Sequence, residues 1–254
     1  GDEAGTAITT GDNNTAIGSN AGESVTTGVQ NTFVGGLAGD ALNTAQNNVA
    51  IGYQALTTDT KGDNSVAIGV LALSAQNFTT STNSYNVAVG RYSGKAITTG
   101  LLNTLVGGLA GDAITSGNSN VAIGYDSLSA DTLGDRNVAV GLQALKAQNF
   151  TTSTDSYNTA VGYAAGLSIT TGIENTIIGG LAGDALTDAD YNVAIGSSAL
   201  TTDTLGSKST AIGVGTLENQ NFTTATDSFN TAVGFFAGRA VTTGTSNTLI
   251  GALA

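Results

Sequence analysis

A chain of 254 residues with 36 glycines and no proline, cysteine, methionine, tryptophan or histidine has no parts for disulfides, thiolate nucleophiles, histidine-based catalysis or zinc sites. Its 7 basic and 19 acidic residues give a net charge of −12, which speaks against a nucleic-acid partner, since binding to a phosphate backbone draws on lysine and arginine. No apolar run reaches the ~18 residues of a membrane helix, and the N-terminus lacks the pattern of a signal peptide.

Taken from the first residue, the sequence is one phrase repeated. Asn14-Thr15-Ala16-Ile17-Gly18 returns fourteen times, and its closing glycine divides the chain into coils starting at 1, 18, 35, 52, 69, 90, 107, 124, 141, 162, 179, 196, 213, 234 and 251. Intervals of 17, 17, 17 and 21 residues recur, which lays a 72-residue super-repeat over a 17-residue coil. A fixed short period predicts an all-β solenoid that grows along one axis, ~70 Å at ~4.8 Å per coil, and a single repeat domain over 1–254. The chain opens on a register glycine rather than methionine and stops just inside another coil, so it reads as a segment of a longer protein.

Four coil types follow one another. The A coils carry Ala-Gly-x-x-Ile/Val-Thr-Thr-Gly, as in Ala21 to Gly28. Gly35 opens a B coil, Gly52 a C coil, and Gly69 a D coil with four extra residues; the order then restarts at Gly90, Gly162 and Gly234. Within each phrase the residue before the glycine is Ile or Val and the one two earlier is Thr or Val, so both lie on one strand face, expected to line the core. The position between them is Ala, except in the B coils, where Phe33, Leu105, Ile177 and Leu249 stand. Together with Leu37, Leu109 and Leu181 they offer more apolar side chains than one thin coil can hide, and these seven are the candidate contacts for further copies of the chain.

Asn opens the phrase in twelve of the fourteen repeats, with Ser65 and Ser209 as exceptions, which predicts a stacked ladder at a turn. In complete A and B coils the fourth residue after the register glycine is Gly and the seventh aliphatic (Gly39 with Leu42). In C and D coils the fourth is Leu and the seventh polar (Leu56 with Asp59, Leu73 with Gln76). One large aliphatic side chain is thus delivered to the core per coil from one of two places, as close packing demands. The D coils lengthen through Asn77-Phe78-Thr79-Thr80 and its two counterparts, and close on an aromatic residue. Phe78, Tyr85, Phe150, Tyr157, Phe222 and Phe229 are therefore expected on bulges that project every ~19 Å, where they could contact a surface.

Chemistry has few candidates. Asp40, Asp112 and Asp184 recur at one B-coil position and Asp59, Asp131 and Asp203 at one C-coil position. Recurrence is how a repeat decorates itself, whereas an active site occurs once, so no enzyme and no cofactor is expected. Calcium is a better use for those acids than catalysis, but the Gly-Gly-x-Gly-x-Asp nonapeptide of calcium-binding β-rolls is missing and the period differs. The Asn-Phe-Thr triplets match the glycosylation acceptor pattern.

The phrase at Asn64 to Gly69, Asn-Ser-Val-Ala-Ile-Gly, echoed at Asn48 to Gly52, resembles the head repeat of trimeric autotransporter adhesins, and Asn48 to Leu56 is similar to the repeats of phage and marine-virus tail fibres. The resemblance covers essentially the whole chain. It implies a left-handed parallel β-roll, three identical chains packed side by side, and an extracellular or virion-attached location. The implied function is a structural shaft presenting a receptor- or glycan-binding tip. The alternatives are a shaft that is itself adhesive and, further off, a β-solenoid carbohydrate-active enzyme.

Overall fold

The computed structural model describes all 254 residues and consists of strands and turns without a helix. The chain forms two compact units, Gly1–Tyr125 and Asp126–Ala254. Each winds as a parallel β-solenoid that contributes one three-residue strand per coil to a single in-register sheet. In the first unit the strands are Thr15–Ile17, Thr32–Val34, Val49–Ile51, Val66–Ile68, Val87–Val89, Thr104–Val106 and Val121–Ile123, paired in that order. In the second they are Val138–Val140, Thr159–Val161, Thr176–Ile178, Val193–Ile195, Thr210–Ile212, Thr231–Val233 and Thr248–Ile250.

The strands are short because the register glycine ends each one in a backbone conformation closed to other residues. At Gly35 φ is +132°, and a Cβ there would stand 2.7 Å from the carbonyl oxygen of Gly52 in the next coil. The chain then turns through further left-handed residues, two and four positions on, such as Gln54 (φ 55°) and Leu56 (φ 54°). Left-handed backbone costs an L-residue about 1–2 kcal/mol. Backbone bonds between coils offset this: Leu37 N–H donates to Ser19 O at 2.9 Å and Gln54 N–H to Gly36 O at 3.0 Å.

The strand faces are the reverse of the sequence expectation. The middle residue of each strand points inward: Ala50, Ala67, Ala88, Ala122, Ala160 and Ala194 are fully buried, and so are Phe33, Leu105 and Ile177. The flanking Thr/Val and Ile/Val columns face outward and are half-buried or exposed, Ile178 and Ile212 at 37%. The interior admits the bulky B-coil residues because the neighbouring glycines make room. A Cβ on Gly22 would lie 2.6 Å from Phe33 Cδ2, and Cβ atoms on Gly94 and Gly111 would each lie 2.8 Å from a methyl of Leu105. The alternating aliphatic residues behave as expected: Val25, Leu42, Leu56, Leu73, Ile97, Ile114, Leu128, Leu145, Ile169, Leu186, Leu200 and Leu217 are all buried.

The asparagine column sits at the corner leading into each strand, buried except at its ends, Asn14 and Asn247, which are half-buried. Asn31 Oδ1 accepts the backbone N–H of Asn48 at 2.9 Å, while its Nδ2 donates to Ala45 O at 2.8 Å. Asn158, Asn175 and Asn192 repeat the pattern in the second unit. The ladder therefore runs chiefly from side-chain oxygen to the next backbone N–H, with weaker side-chain to side-chain bonds such as Asn175 Nδ2 to Asn158 Oδ1 at 3.2 Å.

Candidate interaction surfaces

The lengthened D coils do not project their phenylalanines. Phe78, Phe150 and Phe222 are only 7%, 6% and 6% exposed, which removes them as surface contacts. A Cβ on Gly62 would stand 2.9 Å from the Phe78 ring, and one on Gly206 2.7 Å from Phe222, so the ring lies on a glycine of the preceding C coil. The extra residues also form small parallel pairs with that coil, Gly62–Asp63 with Thr82–Asn83, Gly134–Asp135 with Thr154–Asp155, and Gly206–Ser207 with Thr226–Asp227. What stays outside is the threonine-rich tip and the closing aromatic residue: Tyr85, Tyr157 and Phe229 are 53%, 50% and 57% exposed.

Behind each phenylalanine lies a buried polar network, where the recurring C-coil aspartates are used. Asp203 Oδ1 accepts backbone N–H groups from Gly206 at 3.1 Å and Phe222 at 2.9 Å; its Oδ2 accepts Gln220 Nε2 at 2.6 Å. Gln220 Nε2 also reaches Ser209 Oγ at 2.9 Å, and its Oε1 accepts Asn230 Nδ2 at 2.8 Å. Asp59 with Gln76 and Asn86, and Asp131 with Gln148 and Asn158, build the same arrangement. Burial pushes the Asp131 carboxyl above its ordinary value, against the opposing bonds from Gln148, Phe150 and Gly134. These carboxylates hold the D coil to the C coil and present nothing to solvent. At the two serine exceptions Ser65 Oγ and Ser84 Oγ meet at 2.6 Å, as do Ser209 and Ser228, while at the remaining lengthened coil Asn137 Oδ1 accepts the Ser156 hydroxyl at 2.8 Å.

Asp40 and Asp184 sit elsewhere, on a corner face, each accepting a threonine hydroxyl at 2.5 Å, from Thr57 and Thr201. Burial raises the Asp40 carboxyl despite the bond from Thr57. An open groove of about 590 Å³ on the first unit is lined by Thr57, Thr58, Leu71, Ser74, Ala75, Lys95, Ala96, Asp112 and Ala113; it offers one carboxylate, Asp112. No group of three or more acidic side chains is arranged to hold a metal ion.

Of the candidate contacts between copies, Phe33, Leu105 and Ile177 are corrected: their side chains fill the interior of their own coil and have no surface to offer. Leu37, Leu109 and Leu249 are half-buried and Leu181 is 39% exposed. The apolar surface lies on the outer sheet face, where in the second unit Val161, Ile178, Ile195, Ile212 and Val233 form one column and Thr159, Thr176, Val193, Thr210 and Thr231 another. Sequence reading missed these columns because alternation alone does not say which of two apolar faces is the inner one. The chain matches no protein-family model, no curated protein and no solved structure.

Proposed function

We propose that this chain is a structural shaft of a homotrimeric fibre, extracellular or attached to a virion, that carries a receptor- or glycan-binding tip. The observation that supports it most is the outer face of each sheet. Columns of Val, Ile and Thr run in register along it and are half-buried or exposed, Ile178 and Ile212 among the exposed ones. A contiguous apolar face of this kind is what self-association buries, and a closed cyclic assembly uses one such patch on every copy. Resemblance to autotransporter heads and viral fibres supplies the number three and the left hand. The regular register, with its C-coil aspartates committed to holding coils together, suits a spacer.

Light scattering on the chain at micromolar concentration tests the proposal. A particle of three times the 25.0 kDa chain mass is expected, and Ile178→Lys with Ile195→Lys should reduce it to single chains that keep their β-sheet circular dichroism. A monomeric wild-type chain would overturn the trimer. The second reading, a shaft that is itself adhesive, is favoured by the exposed Tyr85, Tyr157 and Phe229.

A further inference from the structure

The fifth residue after each register glycine forms a column on the corner face that carries Asp40, and in the first unit it continues through Thr57, Ser74, Lys95 and Asp112. Ala75 N–H donates to Lys95 O at 3.1 Å and Ala96 N–H to Asp112 O at 3.0 Å, so these coils are bonded one on the next. The open groove of about 590 Å³ lies here, with Ser74, Lys95 and Asp112 along it and Ala75, Ala96 and Ala113 beside them. Sites for small molecules span about 300–1,000 Å³, and the groove falls within that range.

The chain itself shows what belongs next to Lys95. Two 72-residue steps further on, Lys95 is replaced by Arg239, Tyr92 by Phe236 and Ser74 by Glu218. The Arg239 guanidinium carbon stands 4.6 Å from the Phe236 centroid, and Nε meets Glu218 Oε2 at 2.7 Å. Lys95 takes the same pose, with Nζ 4.9 Å from the Tyr92 centroid. Position 74, however, is serine, and the exposed Lys95 makes no ion pair within 4.0 Å. One step on, Leu167 stands for Lys95, and Lys146, which stands for Ser74, is paired with Asp126 at 2.7 Å. The cation without a carboxylate and the groove therefore coincide at one place.

We propose that this groove binds a sugar acid of the uronic type, its carboxylate taking on Lys95 the place that Glu218 takes on Arg239. The charges along the groove favour such a ligand. Arg91, its guanidinium carbon 4.0 Å from the Tyr92 centroid, adds a second positive charge beside Lys95, while Asp112 stands one coil further on. A ligand with a carboxylate at one end and hydroxyls at the other matches this polarity, because a carboxylate such as Asp112 accepts hydroxyl protons. Thr57 and Thr58 add hydroxyl partners at the rim, and the alanines offer the apolar face of the ring a floor without long side chains. The groove belongs to the first unit of one chain and rests neither on the trimer nor on a tip.

The test is a titration of the full chain with sodium glucuronate, against glucose with sodium chloride at equal ionic strength, followed by the alanine methyl resonances. Saturable shifts at Ala75, Ala96 and Ala113 are expected with glucuronate, with a Kd on the order of 10 mM and a response to glucose about fivefold weaker. Ser74→Glu, which installs the residue of position 218, should pair with Lys95 and abolish the shifts at an unchanged or raised melting temperature. Lys95→Leu, which installs the residue of position 167, should weaken glucuronate about fivefold, to the level of glucose. Equal affinity for glucuronate and glucose in the wild type, or binding that survives Ser74→Glu in full, would overturn the proposal. Sodium acetate binding as tightly as glucuronate would also overturn it, since the hydroxyl partners would then contribute nothing.

Discussion

Phe33 occupies the space that Gly22 leaves open: a Cβ on Gly22 would stand 2.6 Å from Phe33 Cδ2. Gly22→Ala therefore overpacks the coil and also places a methyl on left-handed backbone, a combined cost of about 2–4 kcal/mol. Trimming the ring should recover part of it. In urea titrations Gly22→Ala/Phe33→Leu is expected to be more stable than the sum of the two single variants predicts, and strict additivity would show that the two positions do not share the volume.

This relationship also marks where the sequence was legible. Alternate delivery of Leu42 and Leu56 from two places in the coil could be read from their spacing, because an interior of fixed volume needs one such side chain per turn. The inward direction of Phe33 could not be read from alternation, since Ala between two β-branched residues looks apolar on both faces. A signal was present nonetheless: Gly22 and Gly39 flank Phe33 along the chain, and glycine where other coils carry Leu means a neighbour fills the gap. The burial of Phe78 over Gly62 left no such signal, because that position is Gly or Ala in the A, B and C coils alike, and Asp59 read as surface decoration because the spacing of a single coil does not show which side chains the next coil brings against it.

The left-handed positions are not equal in what they tolerate. Gly35→Ala meets both a φ of +132° and the Gly52 carbonyl, and should break the ladder locally at a cost of several kcal/mol. Gln54, at φ 55°, is ordinary left-handed backbone, so Gln54→Gly should be neutral or stabilising by up to about 1 kcal/mol. Thermal melts of the two variants measure the contrast.

The buried networks predict a charge effect. Gln220→Glu sets a second carboxylate against Asp203 Oδ2, where the amide now donates at 2.6 Å. The second unit should lose about 3–5 kcal/mol at neutral pH. Protonation lets the new group donate again, so much of the loss should be recovered at about pH 4, as seen by circular dichroism melts at the two pH values.

Two other aspartates of the second unit should give pH slopes of opposite sign. Burial raises the Asp131 carboxyl, so the folded chain holds that proton more tightly than the unfolded chain. Its contribution to stability is full below the unfolded value and is lost as pH rises through the folded one. For Asp126 burial acts upward, but the bonds from Lys146, Ser129 and Gln143 outweigh it and the carboxyl is lowered. Its contribution is present above the unfolded value and is lost as pH falls through the folded one. Between about pH 7 and pH 3, Asp131→Asn should fall further behind the wild type, while the deficit of Asp126→Asn narrows, both read as melting-temperature differences.

The two aromatic residues of one D coil should separate folding from surface chemistry. Phe150 is 6% exposed and its backbone N–H donates to the buried Asp131, so Phe150→Ala leaves a cavity beside an ionisable group and should cost about 3 kcal/mol or more. Tyr157 is 50% exposed, and Tyr157→Ala should change stability by less than about 1 kcal/mol because it loses only its exposed contact with Arg136. If the shaft is adhesive, Tyr157→Ala weakens attachment to the surface it recognises at unchanged stability. Phe150→Ala should weaken attachment only at temperatures where the coil opens. Attachment measured for both variants below and above the melting point of Phe150→Ala distinguishes the two roles, and equal loss for both at low temperature would return Phe150 to the binding surface.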